Sequence, residues 1–190
     1  MGMDKFLLIW YNSYKDYESV VFNMSFSFLP RYVAKELPDL TVELLKEHGI
    51  KLLMLDFDNT IVPYTTDVPT QKMAAWLQKL QGSDIRLCVV SNSKRDRVKR
   101  FCEQYGLDCI THARKPFSKG IVQCLVRYQI PKDNCALVGD QIFTDTLGAN
   151  CAGISSILVK AIHNHNIWLK LRHVAEMPFI WLARGRSLVQ

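Results

Sequence analysis

Leu52-Leu53-Met54-Leu55-Asp56-Phe57-Asp58-Asn59-Thr60 decides the reading of this chain. Four consecutive apolar residues bounded by polar ones suit a strand buried on both faces. The run ends in two carboxylates separated by one residue. Side chains alternate along extended backbone, so Asp56 and Asp58 leave the strand end in the same direction. One carboxylate can then attack a phosphorus atom while its neighbour moves protons, because carboxylates act as nucleophiles through aspartyl-phosphate intermediates. An isolated D-x-D is more often a polar turn opened by Asp-Asn. The segments downstream argue against that bland reading here.

Two later segments repeat the form of an apolar run ending in polar groups. Leu87-Cys88-Val89-Val90 runs into Ser91-Asn92, and Ala136-Leu137-Val138 into Gly139-Asp140, with Asp145 five residues on. Between them stands Arg114-Lys115-Pro116. Alone, Ser91 is a helix N-cap, Lys115 a solvated loop lysine, and Gly139-Asp140 a turn. In an open parallel sheet, however, ligands bind outside the carboxyl ends of the strands near a topological switch point. All of these groups would meet at that edge.

Phosphoryl transfer needs such a set, because phosphate oxygens repel a carboxylate nucleophile until cations neutralise the site. Magnesium takes carboxylate, carbonyl and water oxygens in an octahedron. Asp56 and Asp140 can supply the carboxylates, and the Asp58 backbone carbonyl a third oxygen. Lys115 adds a fixed positive charge. Ser91 and backbone N–H groups near Phe57 and Asn92 can bind the transferring oxygens. Asp145 is a supporting carboxylate or a ligand through water.

The strings Asp56-Phe57-Asp58-Asn59-Thr60, Val90-Ser91-Asn92-Ser93, Ala113-Arg114-Lys115-Pro116 and Gly139-Asp140-Gln141-Ile142-Phe143-Thr144-Asp145 resemble the four motifs of the haloacid dehalogenase-type phosphatases. They look more closely like the YqeG family, which is similar to the mitochondrial phosphatidylglycerophosphate phosphatases of fungi and plants. The resemblance runs from about Phe28 to about Lys160. It implies a Rossmann-like parallel sheet with helices on both faces and Mg2+ as cofactor. It implies Asp56 as nucleophile and Asp58 as general acid, then base. Ser91, Asn92 and Lys115 would hold the phosphoryl group, and Asp140 would bind the metal with Asp145 behind it. No motif residue is missing. Many relatives close a cap domain over small substrates. Here one helix fills most of the gap after Asp58, and a helix and a strand fill the gap between Ser91 and Lys115. A capless site, as in subclass IIIA, suits a phosphate presented on something large.

The pattern of the whole chain agrees. Leu37, Leu40, Leu44 and Leu45 predict a short helix ending near Gly49. Strands are predicted at 51–56, 85–91, 108–111, 135–139 and 154–159. Helices are predicted at 70–81, 94–105, 118–129 and 143–150, with Met73, Leu77, Leu80, Ile121, Leu125 and Tyr128 facing inward. Alternating strands and helices give an α/β fold with a parallel sheet. The chain divides into an N-terminal extension over 1–25, a phosphatase domain over 26–162, and a basic segment over 163–190.

The chain has 190 residues, 48% of them apolar, which suits one globular domain with a substantial core. Its six cysteines form no C-x-x-C pair and read as reduced core thiols of a cytosolic protein. His163 and His165 read as solvated surface histidines rather than metal ligands. Phe6-Leu7-Leu8-Ile9-Trp10-Tyr11 is too short to span a bilayer, and no small-residue cleavage site follows it. The net charge of +6 is uneven: from Lys160 to Gln190, Lys160, Lys170, Arg172, Arg184 and Arg186 stand against Glu176 alone. That segment also carries Trp168, Phe179 and Trp181. Ile167, Trp168, Leu171, Val174 and Ala175 would line one helical face, and Pro178 would break it. Such a helix can lie in an anionic membrane interface, or pack on the sheet as a structural end.

These readings converge on a Mg2+-dependent phosphomonoesterase acting through an aspartyl-phosphate, for which the resemblance implies phosphatidylglycerophosphate as substrate and phosphatidylglycerol as product, with peripheral contact at the inner face of the membrane. A phosphatase of soluble metabolites, nucleotides or phosphoproteins is the alternative. A phospho-receiver module also gathers acids, Ser/Thr and Lys at strand ends. It would, however, place its acidic cluster after the first strand and its phospho-accepting Asp later. A nucleic-acid partner is not expected, since no aromatic stacking motif accompanies the basic residues.

Overall fold

The computed structural model describes residues 26–93, 96–162, 167–183 and 185–188, and for 167–174 the backbone alone. Six strands alternate with helices: β1 Tyr32–Val33, α1 Val42–Glu47, β2 Leu52–Leu55, α2 Gln71–Gln81, β3 Arg86–Val90, α3 Asp96–Tyr105, β4 Asp108–Ile110, α4 Lys119–Tyr128, β5 Cys135–Gly139, α5 Leu147–Ala152, β6 Ser155–Leu158 and α6 Ile167–Leu182. The strands form one parallel sheet in the order β1-β6-β5-β2-β3-β4. The chain runs outward from β2 through β3 to β4, then returns to the other side of β2 with β5. The strand order therefore reverses at the β2–β5 seam, where open α/β sheets bind ligands.

The alternation of side chains along β2 divides the core in two. Leu53 and Leu55 join Met73, Trp76, Leu77, Leu80, Val98 and Phe101 from α2 and α3 on one face. Leu52 and Met54 join Ile121, Cys124, Leu125, Ala149 and Ala152 from α4 and α5 on the other. Each fully buried aliphatic side chain contributes about 1.5–3 kcal/mol. Trp76 is buried without an orphaned donor, because its Nε1 donates to the Leu40 carbonyl at 2.8 Å. All six cysteines are free thiols, five of them buried.

The predicted elements are present with ends within three residues, and β5 has the predicted limits. Four features differ. The leucine pattern at 37–45 does not make one helix. It splits into a 3-10 turn, Leu37–Asp39, and α1, because the Thr41 hydroxyl accepts from Leu44 N at 3.2 Å and starts a new helix there. The helix predicted at 143–150 begins instead with a π-helical turn, Ile142–Thr146, and continues as α5. The two-residue edge strand β1 was not anticipated. Finally, Pro178 does not break the last segment: α6 runs through it to Leu182. Proline removes one amide donor from the ladder, and the bonds on either side can still hold the helix.

The C-terminal segment is tied to the fold. Val33 N donates to Arg186 O and Leu188 N to Val33 O, both at 2.9 Å. Phe179 packs against Phe28 and Phe143, with ring centroids 5.2 and 6.3 Å away. The extension over 1–25, His163, His165 and Arg184 lie outside the described residues, as do the side chains of Trp168, Lys170, Leu171, Arg172 and Val174. Among the described residues no helix is long and apolar enough to cross a membrane. None forms a second domain between β2 and β3 or between β3 and β4, where a cap would be inserted.

Candidate active site

Strand β2 delivers the first acid. Asp56 N donates to Val138 O at 2.9 Å, which carries the ladder one residue past the strand end. The chain then turns sharply, with Asn59 at φ 67° and Asn59 N bonded to Val62 O at 2.7 Å. Asparagine tolerates this left-handed conformation better than most residues. Phe57 points into the core against Phe101, at 5.1 Å between centroids, so Asp56 and Asp58 are left toward the sheet edge. The Thr60 hydroxyl donates to Asp56 Oδ2 at 3.4 Å.

Lys115 reaches this acid from the loop after β4. Its Nζ lies 2.6 Å from Asp56 Oδ1 and 2.7 Å from Asp145 Oδ1. Its backbone is braced by Asn92: Lys115 N donates to Asn92 Oδ1 at 2.7 Å, and Asn92 Nδ2 to Lys115 O at 2.8 Å. The Lys115–Pro116 peptide bond is cis, and Arg114 stands at φ 57°. Burial opposes the charge on Lys115, but the Asp145 and Asp56 carboxylates outweigh it and hold the ammonium above its ordinary value.

Strand β5 ends in Gly139-Asp140, and the following π-helical turn brings back Asp145. A Cβ on Gly139 would lie 2.3 Å from the Asp145 carboxyl, so glycine is what admits that side chain. Asp145 Oδ2 accepts from Gln141 N at 3.2 Å. Burial pushes the Asp145 carboxyl up to about 6; Lys115 opposes the shift and Asp56 adds to it. Buried Glu176, from α6, accepts from Ile142 N at 3.0 Å and holds the start of the same turn.

Ser91 is buried at the end of β3, where its Oγ accepts from Ser93 N at 3.1 Å. Asp58 is partly exposed, and its Oδ1 lies 3.3 Å from Nη1 of buried Arg97. The structure thus brings Asp56, Lys115, Asp140 and Asp145 together and places Asp58 and Ser91 on adjoining strand ends. The Asn92 side chain is committed to the Lys115 backbone at both ends, which leaves its backbone N–H as its means of meeting a phosphate.

Asp56, Asp140 and Asp145 offer carboxylate oxygens within 4.8 Å of one another, and all three residues are buried. Lys115 supplies one positive charge against these three negative ones. Hard oxygen donors with excess negative charge fit a divalent cation such as Mg2+. The arrangement gathers two carboxylates of one strand end, two further acids and a buried ammonium at one edge of the sheet.

Sequence reasoning passed over Arg97 and Glu176. Arg97 lies in the basic run Lys94-Arg95-Asp96-Arg97 and Lys99-Arg100, where nothing in the spacing marks the buried member. Glu176 was visible only as the acid within a basic tail.

A family model described as "Mitochondrial PGP phosphatase" matches residues 13–163. The chain is 36% identical over 132 residues to the "Probable phosphatase YqeG" of Bacillus subtilis, covering 70% of this chain and 77% of that one. A crystal structure of an uncharacterized protein from Listeria monocytogenes serotype 4b superposes with a TM-score of 0.50. It is 19% identical, and the match covers 70% of this chain and 99% of that one. A 3-deoxy-D-manno-octulosonate 8-phosphate phosphatase from Moraxella catarrhalis, in complex with magnesium ion, phosphate ion and KDO, gives 0.45 at 17% identity. That match covers 75% of this chain and 97% of the other.

Proposed function

This chain belongs to the mitochondrial PGP phosphatase family, and from that premise we propose that it is a Mg2+-dependent phosphomonoesterase. It works through an aspartyl-phosphate and converts phosphatidylglycerophosphate to phosphatidylglycerol and inorganic phosphate. The observation that carries the chemistry is Lys115, whose ammonium lies between Asp56 and Asp145 at the seam where the strand order reverses.

Asp56 is the nucleophile. A carboxylate oxygen attacks phosphorus, the ester P–O bond breaks, and the leaving alkoxide takes a proton from Asp58. Asp58 then takes a proton from water, which attacks the phosphorus held on Asp56. The P–O bond to Asp56 breaks, inorganic phosphate departs and the carboxylate is restored. Lys115, Ser91 and the backbone N–H groups near Phe57 and Asn92 hold the phosphoryl oxygens, where charge builds in the transition state. Asp56, Asp140 and the Asp58 carbonyl hold Mg2+, with Asp145 behind them. When bound, the cation neutralises the phosphate and orients it.

Two features support a lipid substrate. One is the family's own description as a PGP phosphatase. The other is the absence, among the described residues, of an inserted domain that would enclose a small metabolite. Peripheral membrane contact falls to the segment over 163–190, where Met177, Trp181 and Leu182 of α6 are more than half exposed. The test is a phosphate-release screen in Mg2+ that compares phosphatidylglycerophosphate in micelles with soluble phosphate esters. Preference for the lipid is expected; better turnover of a soluble ester would replace the substrate while leaving the chemistry.

A further inference from the structure

Arg97 takes no part in the chemistry above, yet all three of its guanidinium nitrogens are engaged. Nε lies 2.7 Å from Asp67 Oδ1. Nη1 donates to Tyr64 O at 3.1 Å and lies 3.3 Å from Asp58 Oδ1. Nη2 donates to Pro63 O at 3.2 Å and to Thr66 O at 3.0 Å. The guanidinium carbon stands 5.1 Å from the Phe57 ring centroid, and the residue is 7% exposed. Burying a charge is costly unless it is paired and hydrogen-bonded, and here both conditions hold. Only arginine offers a planar fork of this kind; a lysine ammonium is a point charge on a flexible stem.

The partners of Arg97 fall into two groups. Pro63, Tyr64, Thr66 and Asp67 belong to the loop that follows the Asp56–Asp58 turn, a stretch with no strand or helix of its own. Asp58 is the acid–base group of the proposed reaction. One buried guanidinium at the start of α3 therefore fastens that loop and meets the Asp58 carboxylate. The ring it covers, Phe57, sits between the two reacting acids in sequence.

We propose that Arg97 is a positioning residue for catalysis, which aims the Asp58 carboxylate and holds the 63–67 loop in the one arrangement that leaves this aim intact. The proposal rests on the aspartyl-phosphate reading. Arg97 touches no reacting atom in it and acts through Asp58. An acid–base group must come within about 2.6–3.2 Å of the proton it moves. A displacement of about 1 Å caused by a remote change can cost about 10²-fold in rate. The competing account is a plain staple, in which Arg97 stabilises the loop and the chemistry ignores it.

A double-mutant cycle with p-nitrophenyl phosphate in Mg2+ separates the two. Arg97→Lys keeps the charge and an aliphatic stem over Phe57 but loses the fork. Its expected effect is a fall in kcat of about 10²-fold, with KM within twofold because no phosphate contact is removed. In an Asp58→Ala background the same change should cost less than threefold, since the group it positions is gone. Equal costs in both backgrounds would overturn the proposal and leave a structural staple. Should Arg97→Lys not fold, as judged by circular dichroism, Asp67→Asn serves instead. Asp67 is half exposed, and its loss frees only Nε. A smaller fall in kcat is expected that also vanishes without Asp58, and an equal fall in both backgrounds again overturns the proposal. A wild type that hydrolyses no ester in Mg2+ would overturn the catalytic reading and this proposal together. A wild type that is active but gives additive costs would overturn this proposal alone.

Discussion

Lys115 donates to Asp56 Oδ1 at 2.6 Å across 59 residues of sequence, and this contact joins the end of β2 to the loop after β4, which share no local structure. The same ammonium, 1% exposed at its side chain, is also the counter-charge of Asp145. Without it, two buried carboxylates would remain with no cation. Removing one partner of a buried pair typically costs about 3–5 kcal/mol. Lys115→Met should therefore lower Tm sharply in EDTA, recover part of the loss in Mg2+, and stay inactive in both. Melting curves with and without Mg2+, run beside phosphate release, check this. Wild-type Tm in EDTA would contradict it.

Asp56→Asn should abolish phosphate release and leave the fold standing. The amide removes the nucleophile and weakens the cation site, while Lys115 keeps Asp145 as its partner. Expected results are a wild-type circular dichroism spectrum, turnover below one-tenth of wild type, and little rise in Tm on adding Mg2+. Activity within tenfold of wild type would remove Asp56 from its role.

How much of this was legible in the sequence follows from where each contact lies. The central strands could be read because burial on both faces forces unbroken apolar runs, and the acids could be read because they close those runs. Strand β1 could not. Tyr32-Val33 is two residues long, and its partners stand at Ile157-Leu158 on one side and Arg186-Leu188 on the other. No window of neighbouring residues contains that pairing. The burial of Arg97 and Glu176 was hidden for a related reason: Arg97 lies among several charged residues of α3 and Glu176 is the single acid of α6, and tertiary packing alone decides that each is buried. Asn92 was read as a phosphate ligand through the backbone N–H beside Ser91. The bracing of the Lys115 backbone by its side chain, 23 residues away, was not legible.

Metal dependence should carry a pH signature. Burial raises the Asp145 carboxyl from 3.8 to about 6. An acid whose folded value is raised contributes stability that is complete below its unfolded value and lost as pH rises through the folded one. At pH 7 the metal-free site therefore bears an ionised Asp145 at a cost that a divalent cation relieves. The Mg2+-induced rise in Tm should be larger at pH 7 than at pH 5. Phosphate release should cease in EDTA and be inhibited by Ca2+, which prefers more ligands at longer distances. Equal Tm shifts at the two pH values, or full activity in EDTA, would count against this assignment.

Gly139→Ala tests the packing behind the acids. The added Cβ would meet Asp145 Oδ2 at 2.3 Å and its Cβ at 2.5 Å, inside a turn held by Gln141 N and by Glu176 through Ile142 N. Overpacking in such a place costs about 1–3 kcal/mol. Tm should fall, and the Mg2+ concentration for half-maximal activity should rise as Asp145 is pushed away from Lys115. A variant with wild-type Tm and Mg2+ dependence would show that the turn has room to relax.

The last segment can be tested at side chains that the fold does not use. Arg186 is a poor choice, because its Nη1 donates to Pro30 O at 2.9 Å and its backbone pairs with Val33; replacing it would disturb β1. Met177, Trp181 and Leu182 differ, being 55%, 65% and 59% exposed, and Met177 and Trp181, four residues apart, share one side of α6. On that helix Glu176 and Phe179 face the body of the protein, so the exposed three can change without unseating it. Tryptophan prefers the polar boundary of a bilayer, and apolar insertion gives a binding contribution that salt does not screen, unlike the contribution from basic residues. Met177→Ser with Trp181→Ser should weaken sedimentation with phosphatidylglycerol liposomes at low and high salt alike. It should lower turnover of a lipid phosphate and leave p-nitrophenyl phosphate hydrolysis within twofold, because the proposed catalytic groups lie between Asp56 and Asp145. A wild type that ignores the liposomes at both salt concentrations would end the membrane role of α6 and leave it a structural element, fastened through Glu176 and Phe179.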